Sequence, residues 1–196
     1  QKLGEQAPAA ARKLIESIRA TVASSALVTL TGHSGGGSFL FAILDAHEAI
    51  PAWIDRIAFL DSNYSYDDGR RHGEKLLTWI QADTDRALVV IAYDDREIQL
   101  NGKKVVGPTG GTYRATERMR RRFATDVTFN TVEAGPMLTE TACDGRLLMH
   151  VHRNPENKIL HTALVGEMNG LLEALSHGGE LVLFVVMAIL FYVLLH

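Results

Sequence analysis

Three short apolar runs, separated by stretches with helical periodicity, constrain the fold of this chain more than any other feature. The runs are "ALVTL" at residues 26–30, "RIAFL" at 56–60 and "ALVVIAY" at 87–93. Apolar runs of this length are typical of strands that are covered on both faces. Because they alternate with helical stretches, the sequence predicts an α/β fold, a mostly parallel sheet with helices on both faces.

The rest of the pattern predicts the helices and the outer parts of the sheet. Helices are predicted at "APAAARKLIESIRATVAS" (7–24), at 38–49, at "GEKLLTWIQ" (73–81), at "YRATERMRRRF" (113–123) and at 162–175. "EIQLNGKKVV" predicts a hairpin, in which Asn101 and Gly102 supply the positive φ angles of a tight turn. "VTFNTVE" and "RLLMHVH" predict two further strands.

With 196 residues, 46% of them apolar, the chain predicts one α/β domain at residues 1–176. Residues 177–196 are interpreted as a linker followed by an apolar segment, which runs without a polar residue from Leu181 to Leu195. As a helix this segment would be about 22 Å long, shorter than the ~30 Å core of a bilayer. It is therefore interpreted as a truncated membrane span, as a buried terminal element or as foreign sequence.

The composition limits the kinds of partner that the protein is expected to bind. A formal net charge of −3 gives no basis for binding nucleic acid. Cys143 is the only cysteine, so an internal disulfide is excluded, and no metal site or cofactor is predicted. The expected partner is a small-molecule or peptide substrate, with membrane contact through the apolar segment as an added hypothesis. The sequence leaves two alternatives for the cellular location of the protein, cytoplasmic or membrane-associated.

The glycine-rich stretch "TLTGHSGGGSFLFAIL" follows the first predicted strand and opens a helix. It is not a Walker A loop, because Ser38 and not lysine follows Gly37, and the spacing of a dinucleotide-binding loop fails too. The pattern that fits is G-x-S-x-G, with Ser34 at its centre. Such a bend lifts the serine hydroxyl above the sheet edge, which predicts Ser34 as a nucleophile and the Gly35 amide as an oxyanion donor. The plainer alternative is a glycine turn that packs a helix on a sheet.

"GHSGGG" after "ALVTL" resembles the nucleophile elbow of the α/β-hydrolase superfamily, and the likeness extends to "RIAFLDSNY" and "ILHTALVGEMNGLL". The resemblance covers roughly residues 26–175 and has the superfamily order Ser, Asp, His. It implies a serine hydrolase that cleaves an ester or amide bond through an acyl-enzyme. Complete members have several strands before the elbow, whereas only 33 residues precede Ser34, so the domain is expected to be incomplete at its N-terminus. The alternative function is a non-catalytic hydrolase-fold domain for binding or scaffolding.

The resemblance also indicates the base and the acid. His161 follows the strand "RLLMHVH" and precedes the closing helix, where the superfamily places its catalytic histidine. Asp61 ends "RIAFL", and Asp94 and Asp95 end the next strand. Both strand ends should open on the side of the sheet that carries the elbow. Asp61 is the favoured acid, with Asp95 and Asp94 as alternatives.

Three neighbouring residues are candidates for the substrate pocket. His33 lies inside the elbow, where it is expected to shape the turn or line the pocket. Asn63 and Tyr64 follow Asp61 in "LDSNY" and are expected to hydrogen-bond a substrate beside the carboxylate. The loop "GPTGGT" (107–112) offers backbone amides as a second oxyanion donor, although a plain connecting loop is the favoured interpretation.

Overall fold

A computed structural model of the protein describes residues 4–22, 27–166 and 183–187. A short 3₁₀ turn, Gly4–Gln6, precedes the first α-helix. The α-helices of the described residues are α1 (Ala7–Val22), α2 (Gly36–Ala46), α3 (His72–Gln81) and α4 (Thr112–Phe123). The strands are β1 (Val28–His33), β2 (Ile54–Leu60), β3 (Ala87–Tyr93), β4 (Gln99–Leu100), β5 (Lys103–Lys104), β6 (Asn130–Ala134), β7 (Met137–Ala142), β8 (Leu147–His152) and β9 (Leu183–Met187).

The main sheet has the strand order β6-β7-β8-β3-β2-β1-β9. Strands β8, β3, β2, β1 and β9 run parallel, whereas β7 is antiparallel to β8 and β6 is antiparallel to β7. The predicted α/β class is therefore confirmed. Because β1, β2 and β3 run in the same direction, the residues that follow their last positions lie along one edge of the sheet.

Each face of the sheet packs against a separate apolar cluster. On β3, Leu88 and Val90 join the cluster that also contains residues of all four helices. Val89 and Ile91 join the second cluster, which is completed by Leu164 and its neighbours in residues 160–165. Alternate residues of one strand thus point to opposite faces, as β geometry requires, and all seven residues of β3 are buried. This double burial explains why the central strands are continuous apolar runs in the sequence.

Most predicted elements are confirmed, with end points that shift by a few residues. The hairpin forms between β4 and β5, with Asn101 at φ 53° and Gly102 at φ 74°. Strand β7 was not predicted, because "MLTETA" mixes apolar and polar residues and lies near the sheet edge. Residues 161–166 form hydrogen-bonded turns, and residues 167–175 of the predicted closing helix lie outside the described residues.

The apolar C-terminal segment is described only in part. Residues 183–187 form β9, which pairs in parallel with β1 from Val28 to Gly32. The remainder of that segment, and the predicted boundary between residues 176 and 177, lie outside the described residues. Within the described part of the chain, no helix has the length and hydropathy needed to cross a bilayer.

Candidate active site

The glycine-rich stretch forms a tight turn between β1 and α2. Strand β1 ends at His33, Ser34 and Gly35 form the turn, and α2 begins at Gly36. Ser34 has φ 53°, in the left-handed region that residues with a Cβ disfavour. The turn is closed by hydrogen bonds from the Gly37 amide to the Ser34 carbonyl and from the Ser38 amide to the Gly35 carbonyl, each 3.2 Å. The half-buried Ser34 is thus held in a strained bend between the end of β1 and the start of α2.

Two glycines allow α2 to pack closely against β1 and against the loop after β2. A Cβ on Gly37 would lie 1.7 Å from the Ser62 carbonyl oxygen, and a Cβ on Gly32 would lie 2.3 Å from a methyl carbon of Leu40. The Ser62 hydroxyl donates a hydrogen bond of 2.7 Å to the Gly32 carbonyl. The turn that carries Ser34 is therefore fixed against the loop after β2, which carries Asp61.

Asp61 and His161 form a hydrogen-bonded pair at the same edge of the sheet. The His161 Nδ1–H donates to Asp61 Oδ2 at 2.5 Å. Asp61 is only 4% exposed, and its φ is 45°. Its backbone amide donates to the Ile91 carbonyl at 2.7 Å, which ties it to β3. The His161 side chain is 34% exposed, and no described residue bonds its Nε2. With the proton on Nδ1, the Nε2 lone pair is the one available to act as a base.

His33 connects the turn to this pair. Its Nε2–H donates to the His161 carbonyl at 2.9 Å, and the two rings lie with their centroids 4.3 Å apart. Burial lowers the pKa of His33 below its ordinary value, which favours the neutral ring. His161 is thereby held against the residue that precedes Ser34. Among residues 4–22, 27–166 and 183–187, none hydrogen-bonds the Ser34 hydroxyl or accepts from the Gly35 amide.

Asp94 and Asp95, the two alternative candidates for the acid, form hydrogen bonds with residues other than His161. Asp94 accepts two hydrogen bonds from the Arg96 guanidinium, at 2.8 and 2.5 Å. Asp95 accepts a bond of 2.8 Å from the Thr112 amide. Neither carboxylate bonds His161, so of the three aspartates considered as the acid, Asp61 is the one that contacts the histidine.

Thr112 is a site residue that the sequence did not indicate. It is the first residue of α4, and its hydroxyl donates to Asp61 Oδ1 while its amide donates to Asp95. Both carboxylates thus face the N-terminal end of α4, where the helix dipole stabilises negative charge. Gly111, with φ 90°, permits this approach, because a Cβ there would lie 2.5 Å from both Asp95 oxygens. Thr112, the last residue of the loop considered as a source of oxyanion amides, thus contacts Asp61 through its hydroxyl, and its own amide is already bonded to Asp95.

A cavity of about 560 Å³ opens beside the His161–Asp61 pair. Both residues contribute to its wall, together with Asp95, Thr112 and the glycines at positions 107, 110 and 111. The rest of the wall is apolar or aromatic and consists of Tyr64, Tyr93, Leu100, Val105, Val106 and Ile159.

Family models, curated proteins and solved structures yield no match to this chain. In the described part of the chain, no group of three or more His, Cys, Asp or Glu side chains is arranged to hold a metal ion.

The three pocket candidates have different positions. Tyr64 lines the cavity, and its hydroxyl accepts a hydrogen bond of 3.3 Å from Ser38. His33 shapes the site through His161 and does not line the cavity. The expectation for Asn63 is wrong, because its side chain is fully buried beneath α4, where the amide donates to Thr116 Oγ1 at 2.9 Å. The 3₁₀ turn Asn63–Ser65 places neighbouring side chains on opposite sides, one in the core and one at the cavity.

Proposed function

We propose that this protein is a serine hydrolase of the α/β-hydrolase type, which cleaves an ester or amide bond through an acyl-enzyme. Ser34 is the nucleophile, His161 is the general base and acid, and Asp61 orients the imidazole. The Gly35 amide, at the N-terminal end of α2, donates to the oxyanion. The family resemblance of the sequence, the hydrogen bond between His161 and Asp61 and the strained turn at Ser34 support the proposal.

The observation that carries the proposal is the hydrogen bond between His161 and Asp61, two residues 100 positions apart that meet beside the strained turn at Ser34. A second His–Asp pair in the chain shows why this one is distinctive. His72 donates to Asp45 at 2.8 Å and its other ring nitrogen accepts from the Asp67 amide, in a fully buried position. His72 has no nitrogen left for a substrate, whereas His161 lines a cavity and its Nε2 is bonded by none of the residues that the structure describes.

In the proposed reaction, Ser34 Oγ attacks the substrate carbonyl carbon while His161 Nε2 takes the hydroxyl proton. The imidazolium that forms is stabilised by the Asp61 carboxylate. Collapse of the tetrahedral intermediate breaks the ester or amide bond, and His161 delivers the proton to the departing alcohol or amine. Water then attacks the acyl group with His161 as base, which releases a carboxylic acid and restores the Ser34 hydroxyl.

The oxyanion of each tetrahedral intermediate needs donors that are already in place. The Gly35 N–H lies at the start of α2, where the first amides of a helix lack partners within it and the dipole favours negative charge. A single donor of this kind typically contributes ~10²–10³ in turnover. The bend at Ser34 is what brings this amide next to the hydroxyl.

Labelling with a fluorophosphonate, followed by peptide mapping, tests the proposal. We expect the label on Ser34, no label in Ser34→Ala, and a rate lower by about 10²–10⁴ in His161→Gln. Ser38→Ala is the matched control, since Ser38 is an exposed serine four residues further along, and it should label like the wild type. A folded protein that is not labelled at Ser34 would overturn the proposal and favour the non-catalytic binding domain.

A further inference from the structure

The walls of the cavity beside His161 are built from apolar side chains that are exposed to solvent. Among the described residues, seven large apolar side chains are exposed, and four of them line this cavity. These four are Tyr64, Leu100, Val105 and Ile159. They come from four separate segments of the chain: the turn after β2, strand β4, the residue after β5 and the loop before His161. Exposed apolar groups that converge on one concave surface are characteristic of a ligand site.

The polar groups of the cavity are concentrated at the catalytic end. His161, Asp61, Asp95 and Thr112 lie in one part of its wall, and they hydrogen-bond one another as described above. An anionic substrate group would meet two carboxylates there. A cationic substrate group could not reach either carboxylate, because Asp61 is 4% exposed and Asp95 is 6% exposed. Both carboxylates also already accept hydrogen bonds from Thr112. The charges of the site therefore disfavour anions and offer cations no accessible partner.

We propose that the cavity binds an uncharged apolar group of the substrate, so that the protein hydrolyses esters or amides that carry an alkyl or aryl group next to the scissile bond. This inference rests on the proposed function, since it places the scissile bond at the His161 end of the cavity. The apolar group lies between the β4–β5 hairpin and Ile159 and covers the side chains that are exposed in the free protein.

The volume of the cavity limits the size of the apolar substrate group that it can hold. A volume of about 560 Å³ lies within the usual ~300–1,000 Å³ of small-ligand sites. At the ~30 Å³ that one water molecule occupies in the liquid, the cavity has room for about 15–20 non-hydrogen atoms. Medium-length alkyl chains and bicyclic aromatic groups fit within this limit.

Hydrolysis of two ester series tests the inference. One series lengthens the acyl chain of nitrophenyl esters from two to ten carbons, and the other lengthens the alcohol of acetate esters over the same range. We expect kcat/KM to rise in one of the series by up to roughly fourfold per methylene, then to level off as the cavity fills. Matched hexanoate esters with a terminal carboxylate or ammonium should be cleaved more slowly than the uncharged ester. Flat profiles in both series, or a preference for a charged ester, would overturn the inference while Ser34 labelling still supports the proposed function.

A pair of matched variants tests, by ligand binding and independently of catalysis, whether the cavity binds apolar groups. Val105 on the cavity wall is 53% exposed, and Val132 on edge strand β6 is 54% exposed, so each tolerates a polar residue equally well. Val105→Asp should weaken binding of the uncharged fluorescent probe N-phenylnaphthylamine at least tenfold, and Val132→Asp should leave it unchanged. Probe binding that both variants alter equally would contradict the inference. If the probe result holds but Ser34 is not labelled, the cavity assignment stands and the proposed hydrolysis fails.

Discussion

Ser34 holds a backbone conformation that costs free energy for a residue with a Cβ. Its φ of 53° lies in the left-handed region, which costs roughly 1–2 kcal/mol for L-residues other than glycine. Among the described residues, most of the other non-glycine residues with positive φ are Asn or Asp, which tolerate the conformation better. A serine kept there is consistent with a catalytic bend that is maintained at the expense of stability.

Replacing Ser34 by glycine should therefore stabilise the protein while removing the proposed nucleophile. We expect Ser34→Gly to unfold with a free energy about 0.5–1 kcal/mol higher than Ser34→Ala, because relief of the left-handed strain exceeds the extra chain entropy of glycine. Urea denaturation of the two variants measures the difference. At Ser38, inside α2, the order should reverse, with alanine more stable than glycine. The same order at both positions would show that the bend is not strained.

The N-terminal end of α4 is the element that holds the Asp61 carboxylate in place. The Thr112 hydroxyl donates to Asp61, and the Thr112 amide donates to Asp95. The two interactions can be separated by mutation, because replacing the side chain leaves the amide in place. Under the proposed function, Thr112 would be a positioning residue, which acts on the substrate through Asp61 and His161.

Thr112→Val should remove the hydroxyl bond to Asp61 while it conserves the shape of the side chain. We expect kcat to fall on the order of tenfold with little change in KM, since a hydrogen bond to a charged group contributes about 1.5–3 kcal/mol. Thr112→Ser keeps the hydroxyl and should retain kcat within about threefold. Steady-state kinetics on a nitrophenyl ester, with circular dichroism as the check on folding, measure both variants. Equal kcat in the valine and serine variants would remove Thr112 from the mechanism.

The elements that the sequence predicted well are those whose pattern follows directly from burial. Strand β3 is covered on both faces, so its seven residues read as one apolar run. Strand β7 packs near the sheet edge and mixes Thr and Glu with apolar residues, so its pattern was not recognised. The placement of Ser34 and Asp61 at one edge of the sheet was predictable, because each follows a parallel strand. Thr112 was not, since its contact with Asp61 depends on where α4 begins relative to β2.

At the scale of the whole molecule, the order β8-β3-β2-β1 follows from rules that hold for any α/β chain. Strands joined by a helical crossover tend to be neighbours, so β1, β2 and β3 lie side by side. The other neighbour of β1 is β9, from a segment about 150 residues further along the chain. No local pattern encodes such a pairing. The meeting of Asp61 with Asp95, in contrast, follows from the predictable adjacency of β2 and β3, and it places two carboxylates in one buried region.

That second carboxylate should make the stability of the fold depend on pH. Burial raises the pKa of Asp95 above its ordinary value, and the nearby charge of Asp61 adds to the rise. Its Oδ1 is buried without a partner among the described residues. The folded protein then binds a proton on Asp95 that the unfolded chain releases, so stability falls as pH rises from the ordinary carboxyl pKa of 3.8 to the raised value.

Asp95→Asn keeps an oxygen for the Thr112 amide and removes the charge, so its free energy of unfolding should rise relative to wild type as pH increases from 4 to 8. Asp94→Asn is the neighbouring control with the opposite sign. Although partial burial acts to raise it, the hydrogen bonds from Arg96 lower the pKa of Asp94, so this carboxylate stabilises the fold above its ordinary pKa. Asp94→Asn should therefore be less stable than wild type by a nearly constant amount from pH 4 to 8, because this stabilisation is lost only as the pH falls below 3.8 towards the lowered pKa. Urea unfolding of the three proteins across this range measures both differences, and an Asp95→Asn difference that stays constant with pH would contradict the buried-carboxyl assignment.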